Sequence, residues 1–255
     1  LLDCSNSGTA ILQLKEEEQL YTFQNIPEQP VVSFLRDFSA PVRVERFQSR
    51  QELALLMKYD SNLYNRWDAA ARLAGEVVLE VTEQLQQGQD PEPDQLFLDA
   101  VRESIGGTID DPALLALSLQ LPEETSLAQE MDTIDPDALH HARQLVKKRI
   151  VQENEEKLLQ LYRKTDDSGR YDISPQAIGR RSLKNVALSY LMAHVEQRPE
   201  IVDLGVSQYR SATNMTDCIG ALANIVDLDH AVREELLQDY YLRWEADPLA
   251  MDKWF

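Results

Sequence analysis

The chain has 255 residues, and its 44 Asp and Glu against 25 Lys and Arg give a formal charge of −19. A chain of that sign offers no positive stripe for releasing counterions from nucleic acid and is repelled by anionic lipid, so nucleic-acid and membrane-surface roles fall away. No run approaches the roughly 18 apolar residues of a spanning helix, and Leu1-Leu2-Asp3-Cys4 lacks the regions of a signal peptide.

A hydrophobic fraction of 43% supports a core, and the length suggests one to two domains. Cys4 and Cys218 are too few for a Cys-rich metal cluster; they read as free thiols of a reducing compartment, and a cytoplasmic setting is expected. The acidity is uneven: from Leu73 to His140 there are 16 acidic residues and one basic residue, Arg102, so this segment holds 15 of the 19 net charges.

Residues 9 to 47 carry strand signals. Thr9 to Leu14 alternates around Ile11 and Leu12, Leu20 to Ile26 sets Tyr21, Phe23 and Asn25 on one face, and Val42 to Phe47 alternates again. Pro27, Pro30 and Pro41 separate these runs, because proline removes a ladder donor. Three or four strands are too few to close a sandwich.

Beyond residue 47 the period becomes 3.6. Leu53, Leu56 and Met57 mark a short helix, and Trp67, Ala70, Ala71, Ala74, Val77, Val78, Val81 and Leu85 a long one. Further helices are predicted at about 94 to 105, 112 to 120, 136 to 163, 175 to 195, 199 to 210, 214 to 227, 229 to 245 and from 248 onward. Asp111-Pro112, Asp135-Pro136, Ser174-Pro175 and Asp247-Pro248 each place a capping oxygen before a proline at the first helical position. Ile178, Leu183, Val186, Ala187, Tyr190 and Leu191 are expected to be buried, as are Val232, Leu236, Leu237, Tyr240, Tyr241 and Trp244. The basic run Arg143, Lys147, Lys148 and Arg149 reads as a solvated face.

The predicted fold is α+β and predominantly α: residues 1–47 supply the C-terminal part of an antiparallel β-sandwich domain, and residues 48–255 the first part of a helical, solenoid-like domain of stacked antiparallel helices. No repeat recurs at fixed spacing, so the all-helical reading is firmer than the solenoid one. Leu1-Leu2-Asp3 reads as the end of a strand, and Met251-Asp252-Lys253-Trp254-Phe255 puts large apolar groups where termini are normally polar, so a fragment of a longer protein is expected.

Catalytic signatures are missing. His140, His141, His194 and His230 form no His-x-x-x-His pair, and His194 reads as a partner of a helix C-terminus. Gly106-Gly107 reads as a helix end and Gly179 has no phosphate-loop spacing; no Gly-x-Ser-x-Gly elbow occurs. No catalytic, cofactor-binding or metal-ligating residue is therefore assigned. Two polar clusters stand out: Arg180, Arg181 and Lys184 beside Tyr171, and Asn214-Met215-Thr216-Asp217, where Asn214 can cap a helix and Asp217 can answer it. Both admit a structural reading and a ligand or inter-domain one.

At these clusters a family likeness appears. Tyr21-Thr22-Phe23-Gln24-Asn25 with Pro27 and Pro30, Ser39-Ala40-Pro41-Val42, Asp60 with Asn65-Arg66-Trp67-Asp68-Ala69, Gly179-Arg180-Arg181-Ser182-Leu183-Lys184-Asn185, Ala212-Thr213-Asn214-Met215-Thr216-Asp217 and Met251-Asp252-Lys253-Trp254-Phe255 together resemble the C-terminal half of the bacterial aminopeptidase N family of zinc-dependent gluzincins. The likeness runs nearly end to end and in order.

The resemblance implies that zinc is bound in the full-length parent, outside this chain, on a His-Glu-x-x-His helix upstream. It implies peptide substrates, a catalytic domain in the same polypeptide, and a monomer when complete. This portion is then expected to be inactive alone and to wall and cover the active-site cavity, restricting access. The acidic block 73–140 has two readings, solubility or electrostatic steering of cationic peptide N-termini. The alternative to the whole picture is a stand-alone helical scaffold that binds protein partners, supported by the one-faced helices and by Trp254 and Phe255, which are expected to be exposed.

Overall fold

The computed structural model describes residues 2–3, 11–42, 48–166 and 171–255. By contacts the chain forms two compact units, Leu1–Phe34 and Leu35–Phe255. In the first, β1 (Leu2–Asp3) and β2 (Phe23–Gln24) pair in parallel, Leu2 opposite Phe23 and Asp3 opposite Gln24. Asn25, with φ 60°, turns the backbone left-handed directly after β2.

The rest of the expected sandwich is thinner than the alternation suggests. Residues 11–14 have no regular structure, and Ile11, Leu14 and Leu20 are exposed. Alternation stabilises a strand only when one face is buried, and among the described residues no second layer covers these side chains. The predicted strand at 42–47 lies, apart from Val42, outside the described residues.

The second unit opens with a tight left-handed turn. Leu35, Asp37 and Phe38 have φ of 49°, 57° and 53° around a short 3₁₀ turn, Arg36–Phe38. Left-handed backbone costs a non-glycine residue roughly 1–2 kcal/mol, and polar ties offset that cost. Arg36 Nη1 donates to Asp60 Oδ1 at 2.9 Å and Asn62 Nδ2 to Asp37 Oδ1 at 2.6 Å. These bonds attach residues 35–38 to the helices that follow, so the break by contacts falls earlier than the change of period near residue 47.

Eleven helices follow among the described residues: α1 (Arg50–Tyr59), α2 (Leu63–Gln86), α3 (Gln95–Gly106), α4 (Pro112–Leu119), α5 (Glu124–Ala128), α6 (Pro136–Thr165), α7 (Pro175–Met192), α8 (Val202–Ser211), α9 (Met215–Ile225), α10 (Val232–Trp244) and α11 (Pro248–Met251). Their starts follow the predicted cap chemistry. Asp111, Asp135, Ser174 and Asp247 each accept from a backbone N–H of the first turn, with proline at the first helical position. Ser49 and Glu52 form a complete capping box on α1. The short α5 escaped prediction because five residues are too few for a period and Glu123 makes no side-chain cap bond.

α2, α6 and α7 form the centre. α6 packs against α7, α2 and α3; α4 lies on both α7 and α2; α8 and α9 pack together, with α9 also against α7. Leu73 and Val77 of α2, Val146 and Ile150 of α6, and Leu183 and Leu191 of α7 are all fully buried. Each such Leu or Ile contributes about 1.5–3 kcal/mol over its exposed state. Gly179 lets two backbones meet: a Cβ there would lie 2.8 Å from the backbone nitrogen of Ala113, so α4 and α7 touch where no larger residue fits. Tyr190 locks the same pair from the other end of α7 by donating to the Leu119 carbonyl.

Three expectations need correction. Ile178 and Tyr241 are exposed, since each lies just off the face its helix packs with. Trp254 is half-buried, its indole N–H donating to the Leu237 carbonyl at 3.1 Å. The basic run of α6 is no simple solvated face: Arg143 Nε donates to the Pro122 carbonyl at 3.0 Å, Lys148 pairs with Glu196 at 2.8 Å, and Arg149 meets Glu92 at 3.3 Å. No helix is long and apolar enough to cross a membrane among the described residues.

Candidate functional site

The two polar clusters singled out in the sequence come together between α7, α8 and α9. Lys184 points from α7 to the first turn of α9, where its Nζ lies 2.8 Å from Asp217 Oδ2 and 3.2 Å from Asp166 Oδ1. The side chains of Lys184 and Asp217 are only 4% and 7% exposed. A charge that dry is tolerated only when paired and hydrogen-bonded. Asp217 meets that condition fully: its backbone N–H donates to Asn214 Oδ1 at 2.9 Å, while its carboxylate accepts from Asn214 Nδ2 at 3.2 Å and Asn185 Nδ2 at 3.3 Å.

Asn214 therefore caps α9 as predicted, but Asp217 answers with its side chain turned toward Lys184. Gln208 of α8 closes the network from the third side, donating to Asn185 Oδ1 at 2.7 Å and to the Asp217 carbonyl at 3.0 Å. Gly220 makes room for Asn185, whose Oδ1 would lie 2.4 Å from a Cβ at that position. The other members of the first cluster face elsewhere. Arg181 is buried with its guanidinium 5.0 Å from the ring centre of Tyr171, a cation–π contact, and Arg180 lies near enough to Asp172 to help hold that carboxyl below the usual range, behind the larger effect of the Ser174 hydrogen bonds. With its ammonium bound by two carboxylates, Lys184 is placed as a structural cation and not as a nucleophile.

Beside this network runs a groove of about 720 Å³ bordered by α6, α7, α9 and the segments after α4 and α11. Asn185, Met215, Thr216 and Gly220 belong to both features. Arg143, Lys147 and Lys253 face the groove with Glu123. Burial, followed by the neighbouring Arg143 charge, pushes the Lys147 amine down to about 8, against a smaller opposing pull from Asp227. Sequence reasoning missed this site: the signal was Arg143 and Lys147 four residues apart, which a helix puts on one face.

The histidines do not converge. His140 Nδ1 lies 3.0 Å from Glu124, His194 Nδ1 3.0 Å from Glu155, and His230 Nδ1 accepts from the Val232 N–H at 3.2 Å. His194 thus sits just past the end of α7, tied to a carboxylate shared with Arg198. Zinc needs three or four His, Cys or carboxylate ligands, and among the described residues no three such side chains are grouped to hold a metal ion. The residues present do not fit the zinc that the resemblance implies for the parent.

This architecture, helices stacked on a central trio with a polar lock between three of them, is that of a predominantly α-helical domain. Residues 50–255 match the family described as a domain of unknown function (DUF3458_C) with ARM repeats, and residues 2–47 match one described as a domain of unknown function (DUF3458) with an Ig-like fold. The chain belongs to the DUF3458_C family. It is 34% identical over 96% of its length to the aminopeptidase N of Escherichia coli (strain K12), and 32% identical over 97% to that of Caulobacter vibrioides. Each match spans 28% of the relative, so the chain covers little more than a quarter of those proteins. Among solved structures, the crystal structure of Legionella pneumophila aminopeptidase A in complex with aspartic acid superposes with a TM-score of 0.77 at 29% identity, covering 91% of this chain and 28% of that one.

Proposed function

We propose that this chain is a non-catalytic C-terminal portion of a zinc metallo-aminopeptidase, a cytoplasmic peptide hydrolase that removes N-terminal residues such as alanine, and that it walls and covers the active-site cavity. The observation that carries the reading is the 34% identity to an aminopeptidase N over 96% of the chain. Residues 1–47 and 48–255 are proposed as the end of one domain and the beginning of the next, with no catalytic or zinc-binding residue in either. Zinc chemistry would be supplied by residues of the parent other than these, and the role proposed for this chain is to restrict access.

Much of the acidic block 73–140 is engaged locally, which favours a structural role for it over steering. Asp94, Asp111 and Asp135 cap helices, Glu76, Glu80 and Asp94 surround Arg50, and Glu103 meets Lys58 and Tyr59. The stand-alone scaffold keeps one supporting observation, the exposure of Leu242, Leu249 and Phe255 at one end.

The test is hydrolysis of alanine p-nitroanilide by the full-length gene product, with and without a zinc chelator, beside the 255-residue chain. Chelator-sensitive activity in the former and none in the latter is expected. A full-length product that stays inactive when supplied with zinc overturns the reading, and activity of the chain alone overturns its non-catalytic assignment.

A further inference from the structure

We propose that the groove between α6, α7 and α9 is a binding site for a small oxyanion, a carboxylate or a phosphate, held by Lys147, Arg143 and Lys253. In a chain carrying −19, three cations face one groove with a single lining carboxylate, the exposed Glu123. Neither Lys147 nor Lys253 has a hydrogen-bond or ion-pair partner within range among the described residues, whereas Lys58, Lys148 and Lys184 each reach a carboxylate. Acidic groups are abundant, yet among the described residues none reaches ion-pair distance of either ammonium, and Asp227 acts on Lys147 only as a smaller opposing pull.

Placement supports the same conclusion. Arg143 and Lys147 are four apart on α6, a like-charge spacing that destabilises a helix unless something sits between or beside the two charges. Arg143 is fixed: its Nε donates to the Pro122 carbonyl and its Nη2 to the Leu121 carbonyl at 3.4 Å, which leaves Nη1 without an acceptor among the described residues. Lys147 is half-buried, and desolvation with the neighbouring Arg143 charge lowers its amine despite the opposing pull of Asp227, so its charge is poorly compensated. An anion in the groove supplies that compensation, and the volume of about 720 Å³ is in the range of small-molecule sites. Val186 and Ile219 line the groove beside the cations and offer an apolar wall to a substituent on the anion.

The site is independent of the aminopeptidase reading, and so is its test. Isothermal titration of the protein uses three probes: N-acetyl-leucine, inorganic phosphate, and the uncharged N-acetyl-leucine amide. The oxyanions are expected to bind and the amide to bind at least tenfold more weakly; tighter binding of N-acetyl-leucine identifies a carboxylate with an apolar group as the ligand, tighter binding of phosphate a phosphate. Lys147→Met is expected to weaken oxyanion binding tenfold or more. Lys253→Gln, at an exposed position, is expected to weaken it severalfold and serves if the first variant does not fold. Equal binding of acid and amide, no binding of either oxyanion, or unchanged affinity in the folded variants overturns the proposal.

Raising the pH from 7 to 10 is expected to weaken binding by up to about 100-fold as free Lys147 loses its proton. The other ionisable groups around the groove are Arg143, Lys253, Glu123, Asp227 and Tyr190, whose phenol burial holds protonated.

Discussion

Lys184 of α7 and Asp217 of α9 form a buried ion pair at 2.8 Å, and every other polar bond of that interface is arranged around it. Removing Lys184 leaves Asp217 charged and dry, and removing Asp217 leaves the buried Lys184 with only the exposed Asp166 at 3.2 Å. Asp217→Asn and Lys184→Met are each expected to cost about 3–5 kcal/mol, read by urea denaturation. The double replacement Lys184→Met with Asp217→Leu is expected to cost clearly less than the sum. Additive losses would mean that the two groups do not act as a pair.

Gly220 and Asn185 are coupled by space. Gly220→Ala puts a methyl 2.4 Å from an amide oxygen that Gln208 holds in place, so a loss of about 1–3 kcal/mol is expected. Asn185→Ala also costs stability, but with it in place Gly220→Ala is expected to be nearly neutral. Thermal unfolding of the two single variants and the double variant checks this.

The interface was partly legible from residue types. Arg180, Arg181 and Lys184 one turn into a helix, and Asn214 three residues before Asp217, were visible as polar clusters on otherwise apolar helices. That Lys184 alone reaches across to Asp217 was not, because their pairing depends on how α7 and α9 cross. The helices themselves followed from period and caps, as Asp111-Pro112 and Asp135-Pro136 show. The strands followed only in part: β1 and β2 lie where the sequence places strand signals, but the run from Ile11 to Leu14 is irregular, since alternation states which face should be buried and cannot supply the layer that buries it.

Lys147 sets a pH dependence. Its folded-state amine, near 8, lies below the ordinary 10.5, so the unfolded chain binds the proton more tightly and stability rises with pH between about 8 and 10.5. In oxyanion-free buffer Lys147→Met is expected to be more stable than the wild type at pH 7, by on the order of 1–3 kcal/mol. The difference should shrink toward zero by about pH 10. Denaturation curves at the two pH values provide the check, and a difference independent of pH would contradict the assignment.

Cys218 is 5% exposed, and burial pushes its thiol up. A buried protonated thiol is a poor nucleophile. Alkylation by iodoacetamide at pH 8, followed by peptide mass spectrometry, is expected to be at least about 100-fold slower at Cys218 in the native protein than in urea. Rapid native labelling would show that the α9 region opens readily.

The contact between Tyr190 and the Leu119 carbonyl joins residues 71 apart in the chain. An ideal solenoid adds each hairpin to the one before it, so its ends can melt separately. Here α4 returns across α5 and α6 to lie on α7, and its backbone meets α7 at Gly179. Closing so long a loop is paid for in chain entropy before the contact gives anything back. The α4–α7 contact therefore forms only once α7 is in place, and fraying of α4 would uncover the faces of both α2 and α7 on which it lies.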